Sequence, residues 1–417
     1  MKTDKEILRD LAYKWIEIAK EPIMDERKRQ WSAVKDLKAE KPMIFTESWE
    51  VYDSELYCND YFYRKVECNI RSILDHYEGA GDDIVLDPYF RLPWDVSRND
   101  FGIYVKERHA LDSEGRAIGY DCDNPIKKPE DISKIMDLEY KVNKEHTLLC
   151  KDKLEDAIGD ILPVVVGNYD YFADENDLGN NMYTGVNFIA ISYEVVKLIS
   201  DETLSYWVYD NPEVVHKITD HVTNGIIAFY EWLERENLLD YNNDGQFSGP
   251  GSYGYTSDLS KSGNKVHLKD VWARTESQES VILSPDMFNE FFLQYIAKAC
   301  KHFGLVYYGC CEPLHDRFEL IKKAIPNLRA VSVTPWSDQK KMAEMLGKNY
   351  VYSRKPVSSY ISVANPDWDN IKKDLLETYD AAKYCNLEII IRDMSDVKGH
   401  RNHIKKWIEM FKSVFYV

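Results

Sequence analysis

The chain has 417 residues, 44% hydrophobic and 30% charged, the proportions of a soluble globular protein with room for one large domain or two medium ones. Its 71 acidic against 53 basic residues leave a formal net charge of −18, which repels phosphate backbones and anionic lipid and excludes nucleic acid as an expected partner. No run approaches the ~18 apolar residues that span a bilayer. The opening Met1-Lys2-Thr3-Asp4-Lys5-Glu6 lacks a signal-peptide pattern, so a cytoplasmic protein without membrane contact is expected.

Ile7, Leu8, Leu11, Ala12, Trp15 and Ile16 share one helical stripe, which predicts a helical extension over residues 1–40. Apolar runs then recur at 42–45, 83–86, 162–166, 238–241, 305–308, 330–333, 350–352 and 388–391, each followed by a turn and usually by a helical stretch. Two further runs, 271–273 and 103–105, compete with them. Eight strands interleaved with helices predict an α/β fold, a (β/α)8 TIM barrel over residues 41–417. The clearest helix starts at Ser284-Pro285-Asp286, an N-cap followed by proline and an acid, and runs at 3/4 spacing to Gly304.

In such a barrel the chemistry lies where strands end. The strand ends here are polar: Thr46-Glu47-Ser48-Trp49-Glu50, Asp87, Asn242, Cys310-Cys311-Glu312, Trp336, Lys355 and Arg392-Asp393. The eight cysteines include no CxxC pair, so reduced thiols are expected rather than a disulfide framework. Cys310 and Cys311 either pack or offer soft ligands for zinc, one of the pair ligating while the other packs. Glu276 and Glu279 are solvated loop acids or paired carboxylates of a site. Asp87 and Asp393 suit a ligand, a general base or an N-cap; Lys355 suits an anionic substrate group or a salt bridge. Gly249-Pro250-Gly251-Ser252-Tyr253-Gly254 matches the dinucleotide fingerprint by letter, but no strand leads into it and no apolar helix follows, so it reads as a flexible active-site loop. Asp240 to Gly245 begins like a calcium loop, yet its twelfth position is Gly251 and not a bidentate acid.

From about residue 82 onward the chain resembles the uroporphyrinogen decarboxylase superfamily, through Asp83-Ile84-Val85-Leu86-Asp87, Asn211-Pro212-Glu213-Val214-Val215-His216, Ser284-Pro285-Asp286-Met287-Phe288 and Tyr308-Gly309-Cys310-Cys311. The resemblance implies a (β/α)8 barrel. The arginine-rich segment that holds a tetrapyrrole in the decarboxylases has no counterpart at Phe45-Thr46-Glu47-Ser48-Trp49-Glu50, whose acids would repel a polycarboxylate. The zinc and corrinoid methyltransferases of that superfamily carry H-x-C-G, where this chain has Tyr308, Cys310 and Cys311, and a late cysteine, near which Asp393 stands.

The resemblance therefore implies a methyltransferase of the O-demethylase type, as in anaerobic metabolism, moving a methyl group from a small methoxylated, aromatic substrate to the Co(I) of a corrinoid protein. Zinc would sit on Cys311, Cys310 and Glu276, with Glu279 and Asp393 as catalytic acids. Tyr308, Trp336, Tyr253, Asn242, Asp87 and Lys355 would contact substrate. The alternatives are a decarboxylase, a thiol (coenzyme M-type) methyltransferase, or a non-catalytic barrel that docks a corrinoid protein; the reading admits a homodimer. The 29 Tyr, 15 Phe and 10 Trp include Trp49, Tyr89, Tyr169, Tyr171, Tyr253 and Trp336 just past strand ends, which predicts an aromatic-lined mouth.

Overall fold

The first helix, α1 (Asp4–Ala19), starts where Thr3 accepts from the Glu6 amide while the Glu6 carboxylate accepts from the Thr3 amide, satisfying two donors that a helix start leaves open. Its stripe buries Leu8, Leu11, Ala12 and Trp15. Proline at the start of α2 (Pro22–Lys35) supplies the helical φ, and this helix carries Trp31 and Lys35 wholly out of solvent. These contacts come from a computed structural model, which describes residues 2–47, 49, 51–99, 101–111, 117–169, 186–259, 263, 265–394 and 397–416.

Seven strands form one parallel sheet: β1 (Met43–Thr46), β2 (Phe188–Ile189), β3 (Trp272–Thr275), β4 (Leu305–Tyr308), β5 (Leu328–Val333), β6 (Val351–Arg354) and β7 (Asn386–Ile391), hydrogen-bonded in the order β1-β7-β6-β5-β4-β3-β2. Alternate side chains take opposite faces of a strand. Ile44, Ala273, Val306, Tyr308, Val331, Tyr352 and Ile389 join the core under the covering helices. Met43, Phe45, Trp272, Leu305, Tyr307, Ala330, Val351 and Ile390 join a second core with α1, α2 and the hairpin of Phe247–Gly249 and Ser252–Tyr253. We call that second side the inner face. Among the described residues no helix is long and apolar enough to cross a membrane.

The strands expected at 305–308, 330–333, 350–352 and 388–391 are present, and the competitor 271–273 is β3. An eight-stranded closed barrel is not what the described residues form: the ladder has seven strands, and β1 and β2 are its unjoined edges. At the gap a single backbone bond, from the Asp83 amide to the Ile44 carbonyl (2.9 Å), is supplemented by side chains. The amides of Ile44 and Thr46 donate to the carboxylates of Asp83 (3.0 Å) and Asp82 (2.8 Å), so residues 83–86 lie along β1 without continuing the ladder. At 238–241 the Asp240 amide likewise donates to the Asn168 side chain at 2.7 Å. The run at 162–166 becomes Val164–Tyr169, which pairs in parallel with Phe90–Trp94 in a separate ladder. Residues 103–105 form no strand. The helix expected from 285 continues to Cys300 through one wider π turn at Asn289–Leu293.

The inner face also holds a polar chain. Lys35 pairs with Glu388 and donates to Ser252 Oγ at 2.6 Å, and Ser252 donates to Glu388 at 2.7 Å. Further along, Tyr307 donates to Ser353 Oγ (2.9 Å) and Lys355 Nζ donates to both Ser353 Oγ (2.9 Å) and the Pro250 carbonyl (3.2 Å). Lys35 and Glu388 are both fully enclosed. Removing one partner of such a pair leaves a buried charge unmatched, so Lys35→Ala is expected to lower unfolding free energy by roughly 3–5 kcal/mol. Urea denaturation checks this, and the paired change Lys35→Met with Glu388→Leu should recover most of the loss; a single variant as stable as the parent would contradict it.

Candidate active site

Ligands of parallel sheets bind beyond the carboxyl ends of the strands. β4 ends at Tyr308, and at the following Gly309 φ is 108° and an added Cβ would come within 2.8 Å of Ser332, so glycine suits the turn there. The turn delivers Cys310, whose Sγ lies 3.7 Å from Cys311 Sγ and accepts from Arg392 Nη1 at 3.5 Å. Cys310 is buried and Cys311 exposed. Hydrogen bonding from Cys311 lowers the Cys310 thiol to about 5, with Arg274 and Arg392 adding to it against the opposing effect of burial. The same contact pushes Cys311 up. The two sulfurs therefore titrate as a pair, one proton leaving more readily than from an isolated thiol.

Two enclosed carboxyl groups sit beside this pair. Glu312 accepts from the amides of Ser277 (3.0 Å) and Cys310 (2.9 Å), and burial, then the Cys310 charge, pushes it up to about 7. Glu276 accepts from the Gln278 amide at 2.7 Å through one oxygen. Its other oxygen, Oε1, is buried with no hydrogen-bond partner among the described residues. Burial, followed by the neighbouring charges of Glu279 and Glu312, raises Glu276 well above the carboxylate range. Its ionised form is disfavoured there.

Cations stand opposite. Arg392 Nε lies 3.1 Å from both Glu47 Oε2 and Asp393 Oδ2, and the buried Arg274 guanidinium sits 4.3 Å above the Phe188 ring. Beyond Glu47 is a cavity of about 110 Å³ whose walls include Phe45, Trp49, His76, Phe247 and Tyr253. Trp49 stacks on His76 with ring centroids 4.9 Å apart.

The structure thus gathers Cys310, Cys311, Glu276 and Asp393. Glu279 adjoins Glu276 and accepts from Ser192 Oγ at 2.7 Å. Asp393 has φ 55° and a half-exposed side chain on Arg392. Tyr253 and Asp87 line the cavity, with Asp87 also 2.7 Å from Lys28 Nζ. Lys355 lies on the inner face, and burial brings its amine down to about 7. Three expected substrate contacts are elsewhere. Tyr308 faces the covering helices while Tyr307 takes the inner face; Asn242 clips the start of β3 through the Trp272 amide (2.8 Å) and carbonyl (3.2 Å); and Trp336 is 70% exposed. Of the aromatics past strand ends, Trp49 and Tyr89 line the cavity, and Tyr169 bonds Tyr230. Tyr171, Ser48 and Glu50 lie outside the described residues.

Arg274 and Glu312 went without an assigned role in the sequence. Arg274 stands two before Glu276, the interval that puts both on one face of an extended chain.

The zinc expectation meets a donor set that does not fit it. Among the described residues no three His, Cys, Asp or Glu side chains are grouped to hold a metal ion. The soft donor Cys310 is also engaged by a guanidinium at 3.5 Å, which would oppose a dication.

No protein-family model matches the chain, and no curated protein matches its sequence. Among solved structures it is similar to a methyltransferase from Methanosarcina mazei, with 12% sequence identity and a TM-score of 0.51, over 93% of this chain and 98% of that one. The likeness is one of fold.

A thiol lowered to about 5 is ionised above that pH, so the thiolate band near 240 nm should rise through pH 5 in the parent. Cys310→Ser should remove that step, and Arg392→Met should move it upward. A single thiolate transition in the ordinary range near pH 8–9 would contradict the assignment.

Proposed function

We propose that the chain is a methyltransferase that takes the methyl group of a methoxylated aromatic substrate and passes it to the reduced cobalt of a corrinoid carried by a separate protein. The observation that carries this reading is Glu276, a buried carboxyl at the strand ends whose Oε1 is enclosed and without a partner among the described residues and whose ionisation is disfavoured by burial, beside a thiol and two arginines. The fold shared with a methyltransferase agrees with it.

An aryl methyl ether resists demethylation because the phenoxide leaves poorly, and a positioned acid removes that obstacle. The corrinoid supplies the nucleophile. As the methyl–oxygen bond breaks, its electron pair stays on oxygen, and that oxygen takes the Glu276 proton; solvent restores the acid afterwards. Burial, followed by the charges of Glu279 and of Glu312, the latter fixed by the Ser277 and Cys310 amides, disfavours ionisation of Glu276. Arg392 ties Cys310 to Glu47 and, with Arg274, provides positive potential for the oxygen as negative charge develops on it. Cys310 is a positioning residue here, holding Arg392 through charge.

Incubation with cob(I)alamin and 2-methoxyphenol, followed by chromatography of the released catechol, tests the reading. Glu276→Gln should slow release by roughly 10²–10⁴-fold with little change in KM, whereas Glu279→Gln should cost far less. Full activity in Glu276→Gln would remove the acid from the mechanism. Absence of methyl transfer from a panel of methoxybenzenes, with either free or protein-bound corrinoid, would overturn the function.

A further inference from the structure

The two adjacent cysteines that follow β4 sit in unlike surroundings. Cys311 is exposed and Cys310 buried, with their sulfurs 3.7 Å apart. The backbone of Cys310 is pinned on both sides: its amide donates to Glu312 Oε2 at 2.9 Å, and its carbonyl accepts from Ser332 Oγ at 3.0 Å. Its sulfur accepts from Arg392 Nη1 at 3.5 Å, and a neighbouring cation favours the thiolate. Free cysteine is among the most buried of residue types, so packing accounts for Cys310 but not for Cys311.

An accessible sulfur that meets an oxidant, beside an ionisable one that resolves the product, is the arrangement of a reversible oxidation site. Cys310 needs no opening to solvent for its part, because its target is Cys311 Sγ. Closing the pair brings the sulfurs from 3.7 Å to the ~2 Å of a disulfide, and with Cys310 anchored the movement falls to Cys311. Neighbouring Cα atoms are held about 3.8 Å apart, closer than the ~4.4–6.8 Å that disulfides prefer, so the ring that forms is strained. Strain makes such a bond easy to reduce, which suits a labile bond and not a structural one.

We propose that Cys310 and Cys311 form a reversible modification site, oxidised by a low-molecular-weight disulfide to a bond between the two neighbours. The Cys311 thiolate attacks one sulfur of the disulfide RSSR, and the S–S bond of the reagent breaks with loss of RS⁻. The Cys310 thiolate then attacks Cys311 Sγ, the mixed disulfide breaks, and a second RS⁻ leaves. The cysteines give up two protons and two electrons, and the reagent becomes two RSH. That the bond also stops methyl transfer, by removing the Cys310 charge that holds Arg392, rests on the function proposed above; formation of the bond rests on the pair alone.

Incubation of the purified full chain with oxidised glutathione, followed by an iodoacetamide quench, trypsin digestion and mass spectrometry, tests the assignment. The tryptic peptide His302–Arg317 holds Cys310 and Cys311 and no other cysteine. In the oxidised parent it should be two hydrogens lighter and unalkylated, and excess reduced glutathione, applied to the folded chain, should return both thiols to alkylation. Cys310→Ser, with its thermal melt confirming a folded chain, should instead keep a glutathionyl group on Cys311, since the resolving sulfur is gone. Two alkylated cysteines in the treated parent, a lasting glutathionyl adduct there, a bond from either sulfur to another cysteine, a bond that reduced glutathione does not open, or no adduct on Cys311 in a folded Cys310→Ser would each overturn the proposal. The measurement on the parent decides even if the variant does not fold. Bond formation in a chain that transfers no methyl group would sink the proposed function alone, and methyl transfer by a chain that forms no such bond would sink this inference alone.

Discussion

The pairing of Lys35 with Glu388 through Ser252 is the constraint on which the inner face depends. Three distant pieces of chain meet there: the end of α2, the Gly-rich hairpin and the early part of β7. Two charges removed from water must be matched closely, and each partner fixes the residues next to it. Ser252 brings Tyr253 and Phe247 against Phe45, which makes one wall of the cavity. Glu388 fixes which side of β7 faces inward, so Ile390 shares the inner core and Arg392, two residues on, reaches Glu47 and Cys310. A contact at one end of the strand thereby sets the position of a guanidinium at the other.

Charge along this path changes its character. At the early end a lysine and a glutamate offset one another. At the strand ends, arginines stand beside carboxyls whose ionisation burial disfavours and beside a thiol whose ionisation is favoured. Groups whose surroundings drive their proton affinities apart mark acid–base chemistry more often than structural salt bridging does. The excess of acids that excluded nucleic acid on composition alone has a local counterpart here: after burial, Glu279 and Glu312 raise Glu276.

How much could be read in the sequence depended on whether backbone or side chains make the decisive bonds. The runs at 305–308 and 388–391 became strands because apolar residues on both faces leave their backbone no partner but a ladder. Residues 83–86 look the same by composition, but Asp82 and Asp83 occupy the donors of β1 with carboxylates, which hydrophobic pattern does not register. β2 has two residues, too few to signal. Apolar runs buried on both sides also hide their phase: Tyr307 and Tyr308 are adjacent, equally aromatic and equally buried, and only the register of β4 shows that Tyr307 is the inner one. The chemical residues were more legible, since Cys310, Glu276 and Asp393 each follow a run that ends a strand.

The Gly-rich segment shows how the same letters acquire a different physical meaning in the fold. Read as sequence, Gly249 to Gly254 suggests a flexible loop over a site. In the structure Gly251 has φ 62°, and a Cβ there would come within 2.4 Å of Ile390; one on Gly254 would come within 1.8 Å of the Asn242 carbonyl, and one on Gly249 within 2.5 Å of the Tyr307 ring. These glycines are present because backbone is pressed against side chains, and the segment is buried from Phe247 to Thr256. Lys355 and Ser252 hold it by hydrogen bonds at both ends of the turn. Displacing this wall would break the hydrogen bonds that Lys355 and Ser252 make beneath it. Such a wall is a preorganised surface rather than one assembled around a guest.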